Sequence, residues 1–294
     1  MPSDMKGILR PSIYRFRLGG FEITTILDGV SQRDGPHPMF GADQPVEAVQ
    51  SLAAANRLPP TRFEHSFTPT IVNIGRELVL FDTGNGAARR DAGVGKLGRR
   101  LEDAGYAAAD IDVVVITHCH PDHIGGLVED GRPAFPNARI VFGEVEFDAW
   151  RRGDNIPASR APTRELFLKV ALPFGDAATL IAPDREVVPG IHAVEAFGHS
   201  PGHMAYHLES EGQRLLLWAD VTSHYVVSLQ RPEWQVQVDD DKATAAATRR
   251  RILEMVATDR LWAIGYHMPF PAVGAVEKTH DGYRWLPLSY QLTL

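Results

Sequence analysis

One cysteine, Cys119, stands in 294 residues, so an internal disulfide is excluded. Long apolar runs are missing too: no stretch approaches the ~18 consecutive apolar residues of a membrane span. The opening MPSDMKGILRPSIYRFRLGG holds no apolar core of the kind a secretory leader carries, and a cytoplasmic location is the expectation. Nor is there an excess of positive charge. Lys and Arg number 30 against 37 Asp and Glu, a net charge of −7, with the acids spread along the chain. Without a basic field there is little counterion release to drive binding, so neither nucleic acid nor a membrane surface is an expected partner. The run Arg249, Arg250, Arg251 reads as the wet face of a helix. No short-period repeat, low-complexity tract or Pro/Ser-rich linker divides the chain, and residues 1–294 read as one domain.

Hydrophobic residues make up 44 %, enough for a sizeable core. Strand-like runs cover 12–19 and 21–29. A Pro- and Gly-rich stretch, 31–45, then enters the Ala-rich 46-VEAVQSLAAAN-56, a short helix by composition. The whole of 31–65 is long for a connection inside a compact domain, which points to a lid or a subunit contact. Runs 69–75 and 77–84 read as a hairpin. A helix fits 95–105, with Leu97 and Leu101 four apart and Gly105 ending it. Strands follow at 111–116 and 139–143, and helices at 144–150 and 163–171. The second half repeats the alternation: strands over 186–196, 203–210 and 213–220, a helix over 241–257 with Asp241 as N-cap, and a strand over 260–267. Strands and helices in both halves predict two sheets covered by helices, an α/β (α+β) fold in four layers.

The chemistry concentrates in 117-THCHPDHIGG-126, directly behind the apolar run IDVVVI. His118 and His120 are two apart, so in extended chain both imidazoles point the same way. Pro121 breaks the strand, and Asp122 and His123 fall on the next turn, aimed at a second point. Gly125 and Gly126 let the backbone crowd close. Three later segments also end in a metal-capable residue: His199 in FGHSPGH, Asp220 after LLLWA, and His267 after LWAIGY. Any one of these alone reads as a turn former or a satisfied core residue. Together with the cluster they read as metal ligands at strand ends, where rigid strands can preorganise a site. Neutral imidazoles with carboxylates suit zinc, and also accept manganese, iron or cobalt. His203 and His207 read as structural or supporting residues. His37, His65, His192, His224 and His280 are not expected as ligands. Cys119 should point away from its neighbours as a buried thiol, and Asp82 in FDTG should orient a histidine.

The set H-x-H-x-D-H, a later His, an Asp closing an apolar strand and a late His resembles the metallo-β-lactamase superfamily. Within it, FEITTILDGV, LVLFDTGNG, PNARIVFGEVEFDAW, YHMPFPAVG and GYRWLPLSYQL are similar to methyl parathion hydrolase and the quorum-quenching lactonases. The resemblance implies an αββα sandwich with a dinuclear site at the shared edge of two sheets. His118, His120 and His199 would hold one divalent ion, Asp122, His123 and His267 the other, and Asp220 would bridge them. It implies a hydrolase acting through a shared hydroxide on neutral esters: lactones such as acyl-homoserine lactones, or aryl phosphotriesters. It also implies a homodimer. Acyl-homoserine lactonases often place a Tyr three residues after the bridging Asp; here that position is Ser223, with Tyr225 two further on. A thioesterase of glyoxalase II type or a β-lactamase-like amidase is the alternative enzyme, and a metal-stabilised binding protein the alternative without turnover. Trp150, Phe67, Phe174, Tyr225 and Phe270 are the candidate walls of an apolar substrate pocket, with Trp150 foremost.

Overall fold

The strand Val113–Ile116 is buried at every position and lies between two parallel neighbours, Leu78–Phe81 and Arg139–Gly143. That is the expected place for an unbroken β-branched run. The computed structural model describes residues 3–154 and 156–294. In spatial order the first sheet runs Ile13–Leu18, Phe21–Ile26, Thr70–Asn73, Leu78–Phe81, Val113–Ile116, Arg139–Gly143 and Thr179–Ile181. The second runs Glu186–Val188, Ile191–Glu195, Met204–Ser210, Gln213–Ala219, Trp262–Gly265, Val273–Lys278 and Tyr283–Pro287.

Alternation along the strands divides their side chains between two layers. Val113 and Val115 point to the central core, where they share one cluster with Tyr206, Leu215 and Leu217 of the other sheet. Val114 and Ile116 point outward and pack with Leu97, Leu101, Phe147 and Phe167 from helices Leu97–Asp103, Glu144–Arg152 and Ala161–Val170. On the far side, Leu216 and Trp218 meet Ile252, Leu253 and Val256 of helix Lys242–Thr258. These layers are the αββα sandwich. Asp241 caps the last helix by accepting the N–H groups of Ala243 and Thr244 at 3.1 and 3.0 Å. Among the described residues no helix is long and apolar enough to cross a membrane.

Three sequence expectations fail locally. The single strand expected over 186–196 is a tight hairpin, because Pro189 and Gly190, the latter at φ +84°, turn the chain between Glu186–Val188 and Ile191–Glu195. The stretch 31–45 is not irregular throughout: Gly29–Asp34 pairs antiparallel with Arg62–Phe67, enclosing helix Val46–Ala55. Polar residues on one strand face hid the period-two signal there.

Arg249 is the third correction. It is not on the wet face; it is 1 % exposed. Its guanidinium donates to the carbonyls of Val221, Pro232 and Trp234 and, at 2.7 Å, to the Asp239 carboxylate. A buried cation with this many acceptors ties the helix to three loop segments. Arg249→Ala leaves one oxygen of the buried Asp239 and three loop carbonyls without their cationic donor, so it should destabilise the fold by about 3–5 kcal/mol in urea unfolding. A change below about 1 kcal/mol would refute this linking role.

Candidate metal centre

Strand direction brings the candidate ligands to one edge. Val113–Ile116 runs parallel to Leu78–Phe81, so Thr117 to His120 emerge beside Asp82. Gln213–Ala219 runs parallel to Trp262–Gly265, so Asp220 and His267 leave the second sheet side by side. Ile191–Glu195 points the same way as Gln213–Ala219, two antiparallel steps off, and delivers His199 there too. Ligands beyond the carboxyl ends of strands are a general consequence of such sheets. Two non-glycine residues at the edge adopt left-handed backbone, Asp82 at φ +61° and Ala219 at φ +48°. This strain redirects the chain where the side chains must converge. Gly126 is required by close approach: a Cβ there would lie 2.1 Å from the Thr83 carbonyl oxygen.

The hydrogen bonds at the back of each imidazole fix which nitrogen is free. His123 donates from Nδ1 to Asp82 at 2.8 Å. Asp82 also accepts the N–H and hydroxyl of Thr117, at 2.9 and 3.0 Å. With its hydrogen so committed, Thr117 Oγ1 accepts from His118 Nδ1 at 3.1 Å. His199 donates from Nδ1 to Asp239 at 2.8 Å, and His267 from Nδ1 to the Ser66 carbonyl at 2.7 Å. His120 is turned round: its Nε2 faces Asp240 at 3.4 Å. Five imidazoles are thus left with a lone pair on the inner nitrogen, Nε2 in four and Nδ1 in His120.

Those lone pairs meet one another and the carboxylates. His120 Nδ1 lies 3.0 Å from His199 Nε2. His267 Nε2 lies 2.9 Å from Asp220 Oδ2, and His199 Nε2 3.3 Å from the same oxygen. His123 Nε2 lies 3.4 Å from Asp220 Oδ1 and 3.5 Å from Asp122 Oδ2, which is 3.4 Å from His267 Nε2. Acceptors facing acceptors require a cation between them. The inner nitrogens of His118 and His123 and Asp220 Oδ1 are buried without a hydrogen-bond partner among the described residues. Two ligands on a tetrahedral ion at about 2.0–2.1 Å are about 3.3 Å apart, close to the spacings here. The donors form three overlapping triads: His118, His120 and His199; His118, His123 and Asp220; Asp122, His123 and His267. The residues present therefore fit two divalent ions.

Burial holds His118 far below the usual imidazole range, helped by the neighbouring His123 and His120. Burial, then the Arg160 charge, holds His120 down at about 4. Burial also pulls His199 down, but hydrogen bonds to Asp220 and Asp239 outweigh it and raise this imidazole to about 9. A proton there is the smallest cation that answers the carboxylates. Metal binding would displace it.

All seven expected ligands come together, and Asp82 stands behind His123. Tyr225 and Phe270 line a cavity of about 370 Å³ that opens beside His267. Trp150 does not line it. It is fully buried on helix Glu144–Arg152, where its Nε1 donates to Glu146 at 2.7 Å. Glu146 also accepts from Cys119 N, Ser200 Oγ and Gly202 N, so it clamps two ligand loops together. Trp150 is thus a supporting residue, and its expected place in the pocket is corrected. Phe67 is also buried outside the cavity lining, edge-on to His267 with ring centroids 5.4 Å apart. Phe174 packs on the outer face of the first sheet. Cys119 is fully buried, and burial pushes its thiol well up. His203 supports the site by accepting the Asp220 N–H at 3.3 Å.

Sequence reasoning expected Asp241 as a helix cap but missed the support supplied by its neighbours Asp239 and Asp240. Asp239 holds His199, Asp240 holds His120 and pairs with Arg160 at 2.7 Å, and Asp241 caps a helix. Three adjacent acids ahead of the buried Arg249 were the available signal. Tyr266 was missed as well; its hydroxyl donates to the Asp122 carbonyl, and its ring lies 4.0 Å from that of His123.

Residues 68–267 match the family model described as the metallo-beta-lactamase superfamily. An N-acyl homoserine lactonase of Bacillus cereus is 32 % identical over 117 residues, covering 40 % of this chain and 40 % of that protein. The match thus spans less than half the length of that curated relative. The solved structure of AidC, a dizinc quorum-quenching lactonase in complex with a product, superposes with a TM-score of 0.89 at 24 % identity, covering 95 % of this chain and 98 % of the other. That of AbOPH, a hydrolase in the beta lactamase superfamily, gives 0.86 at 25 % identity, covering 97 % and 100 %.

Two variants test the site. Asp220→Ala removes the only carboxylate that faces both the His199 and the His123 side among the described residues. Elemental analysis should find bound metal reduced by about half or more; unchanged stoichiometry refutes its shared role. Trp150→Ala should cost about 3–5 kcal/mol in unfolding and lower turnover on every substrate alike. A selective change in substrate preference, with stability intact, would return Trp150 to the pocket wall.

Proposed function

The chain belongs to the metallo-beta-lactamase superfamily, and from that premise we propose that it is a metal-dependent hydrolase of neutral esters, with lactones, including acyl-homoserine lactones, as its main class. The observation that carries this reading is the junction of the ligand cluster with the cavity. His267 belongs to both, and the walls beyond it combine apolar Leu58, Phe63, Pro269 and Phe270 with Arg62 and an Arg10–Glu64 ion pair. The apolar part of this lining suits a neutral, partly aliphatic ester. Segment 31–65, expected as a lid or subunit contact, supplies Gln32, Pro36, Ala53, Leu58 and Phe63 to that wall. A lid acts from this position.

Two divalent ions, zinc foremost, would supply Lewis acidity toward the ester oxygen and a water acidic enough to act as nucleophile at neutral pH. The chain's own residues do the rest. The back-side hydrogen bonds of five imidazoles hold their free nitrogens inward before anything binds. Asp220 presents one oxygen toward each side of the cluster. Asp122 keeps 20 % of its side chain exposed, against 4 % for Asp220, and so is the ligand with the best access to solvent. It is placed to hold a proton and pass it to the leaving oxygen. No serine or cysteine nucleophile is required, and the buried Cys119 is unsuited to be one.

Aryl phosphotriesters are the second reading. They are also neutral, and Phe63 and Phe270 in the cavity wall offer rings against which an aryl group can pack. A glyoxalase II-like thioesterase or a β-lactamase-like amidase stays the alternative. Initial rates of the zinc-loaded chain on N-hexanoyl-homoserine lactone, an aryl phosphotriester, a thioester and a β-lactam decide among them. The lactone should be fastest, with activity lost to a chelator and restored by zinc. A thioester or β-lactam turned over faster than the lactone overturns the proposal, as does tight metal binding with no turnover, the mark of a binding protein.

A further inference from the structure

His120 Nδ1 and His199 Nε2 come within 3.0 Å of each other. Asp240 and Asp239 aim these two rings from behind. The spacing of the backbones that carry them is set elsewhere, by the Glu146 carboxylate. Oε1 accepts the Cys119 N–H at 2.7 Å, between the ligands His118 and His120, and the Ser200 hydroxyl at 2.5 Å, next to His199. Oε2 accepts the Gly202 N–H at 2.7 Å. The Trp150 indole N–H is the fourth donor, at 2.7 Å, and its ring meets His120 edge-on with centroids 5.9 Å apart. The contact is tight: a Cβ on Gly202 would lie 2.1 Å from Glu146 N. Three of the four partners are N–H groups, which only donate, so both oxygens must accept. Glu146 is 1 % exposed, and a buried carboxylate gives a packed helix no stability for its own sake. What this one provides is a junction.

The helix brings it there. Glu144–Arg152 starts where strand Arg139–Gly143 ends, and that strand lies parallel to Val113–Ile116. The first helical turn therefore emerges at the edge where the ligand loops emerge. The other half of the cluster is held without it. His123 answers to Asp82, His267 to the Ser66 carbonyl, and the Asp122 carbonyl to the Tyr266 hydroxyl. Among the described residues none of these supports bonds to Glu146, whose four donors are those named above.

We propose that Glu146 is a positioning residue for one of the two ions only. Through Cys119, Ser200 and Gly202 it sets the spacing of His120 and His199, and the ion held by Asp122, His123 and His267 is independent of it. The proposal goes beyond the hydrolase reading, because it concerns metal uptake whatever bond is cleaved.

Glu146→Gln keeps the shape of the side chain but turns one acceptor oxygen into an amide nitrogen. That nitrogen then faces at least one buried donor, hydrogen against hydrogen. Nitrogen NMR of the histidine side chains, on the metal-stripped full chain titrated with zinc, reads each imidazole separately. In the wild type His120, His199, His123 and His267 should all respond. In Glu146→Gln, His120 and His199 should need about tenfold to a hundredfold more free zinc, the usual effect of losing a hydrogen bond behind a metal ligand, while His123 and His267 respond at the wild-type concentration. A weakening shared by both pairs would make Glu146 a general prop of the fold and overturn the proposal. So would a weakening confined to His123 and His267, or none at all. Should Glu146→Gln not fold, Ser200→Ala removes one of the four bonds and must show the same one-sided weakening in smaller measure; an even or absent effect there counts equally against the proposal. A wild type whose histidines ignore zinc overturns the metal reading and this proposal together. Loss of lactone turnover in a wild type that takes up both ions touches the hydrolase reading alone.

Discussion

Uncompensated negative charge at one edge of the sandwich is the constraint on which the rest depends. Asp82, Asp122, Asp220, Asp239 and Asp240 gather around the five imidazoles, and among the described residues only two guanidiniums face them, Arg160 and Arg249. With all five imidazoles neutral, as metal binding requires, three negative charges remain in a largely buried volume; the proton that His199 holds offsets only one of them. Isolated ions cost several kcal/mol each in such surroundings unless they are met by opposite charge. Two divalent cations reverse the sign of the balance. The contrast with Glu146 is instructive: that carboxylate is also buried, but four donors satisfy it, and it has no call on a cation.

Preorganisation follows from how the layers are stacked. Four of the five imidazoles are aimed by a partner on another part of the chain, and His118 by Thr117, which is itself tied to Asp82, so none of them turns without breaking a bond. His123 and His118 answer to Asp82 through Thr117, His199 to Asp239, His120 to Asp240, and His267 to a strand of the small hairpin through Ser66. Arg249 extends this network into the last helix. The packed core and the metal site therefore share one network, and a change at Asp239 acts on both.

What was legible in the sequence sorts by how local its cause is. The four layers could be read because IDVVVI and QRLLLWAD announce their faces by period two and burial, and because LFLKV and RRRILEMV alternate with them. The ligands were legible because imidazoles and carboxylates at strand ends have few other uses in such density. The supporting residues were not. Asp239, Asp240, Glu146 and Ser66 act on residues 27 to 201 positions away, and the bonds to Ser66 involve a backbone carbonyl that any residue would supply. Arg249 was misjudged for the same reason: its helical neighbours are polar, and the acceptors that bury it lie in loops around Val221, Pro232 and Trp234. Trp150 misled through its size. A large aromatic near a site suggests a wall, but its indole N–H had a buried partner one helical turn away, at Glu146.

The cavity wall obeys a different logic from the ligand set. The ligands come from strand ends whose geometry the fold itself fixes. The wall comes from segment 31–65 and from the residues after Asp220, parts of the chain that the central sheets do not require. The ties from this part of the chain to the ligands run to His267, through the His65 ring 3.9 Å away and the adjoining Ser66 carbonyl, so the rest of the two-strand sheet and its helix can change with little effect on the other inner nitrogens. Reaction type and substrate choice are thus carried by separable parts of the molecule. The first is set by charge and coordination at the strand ends. The second is set by which groups the wall presents, and it is on the wall that differences between this chain and others of its fold should be sought.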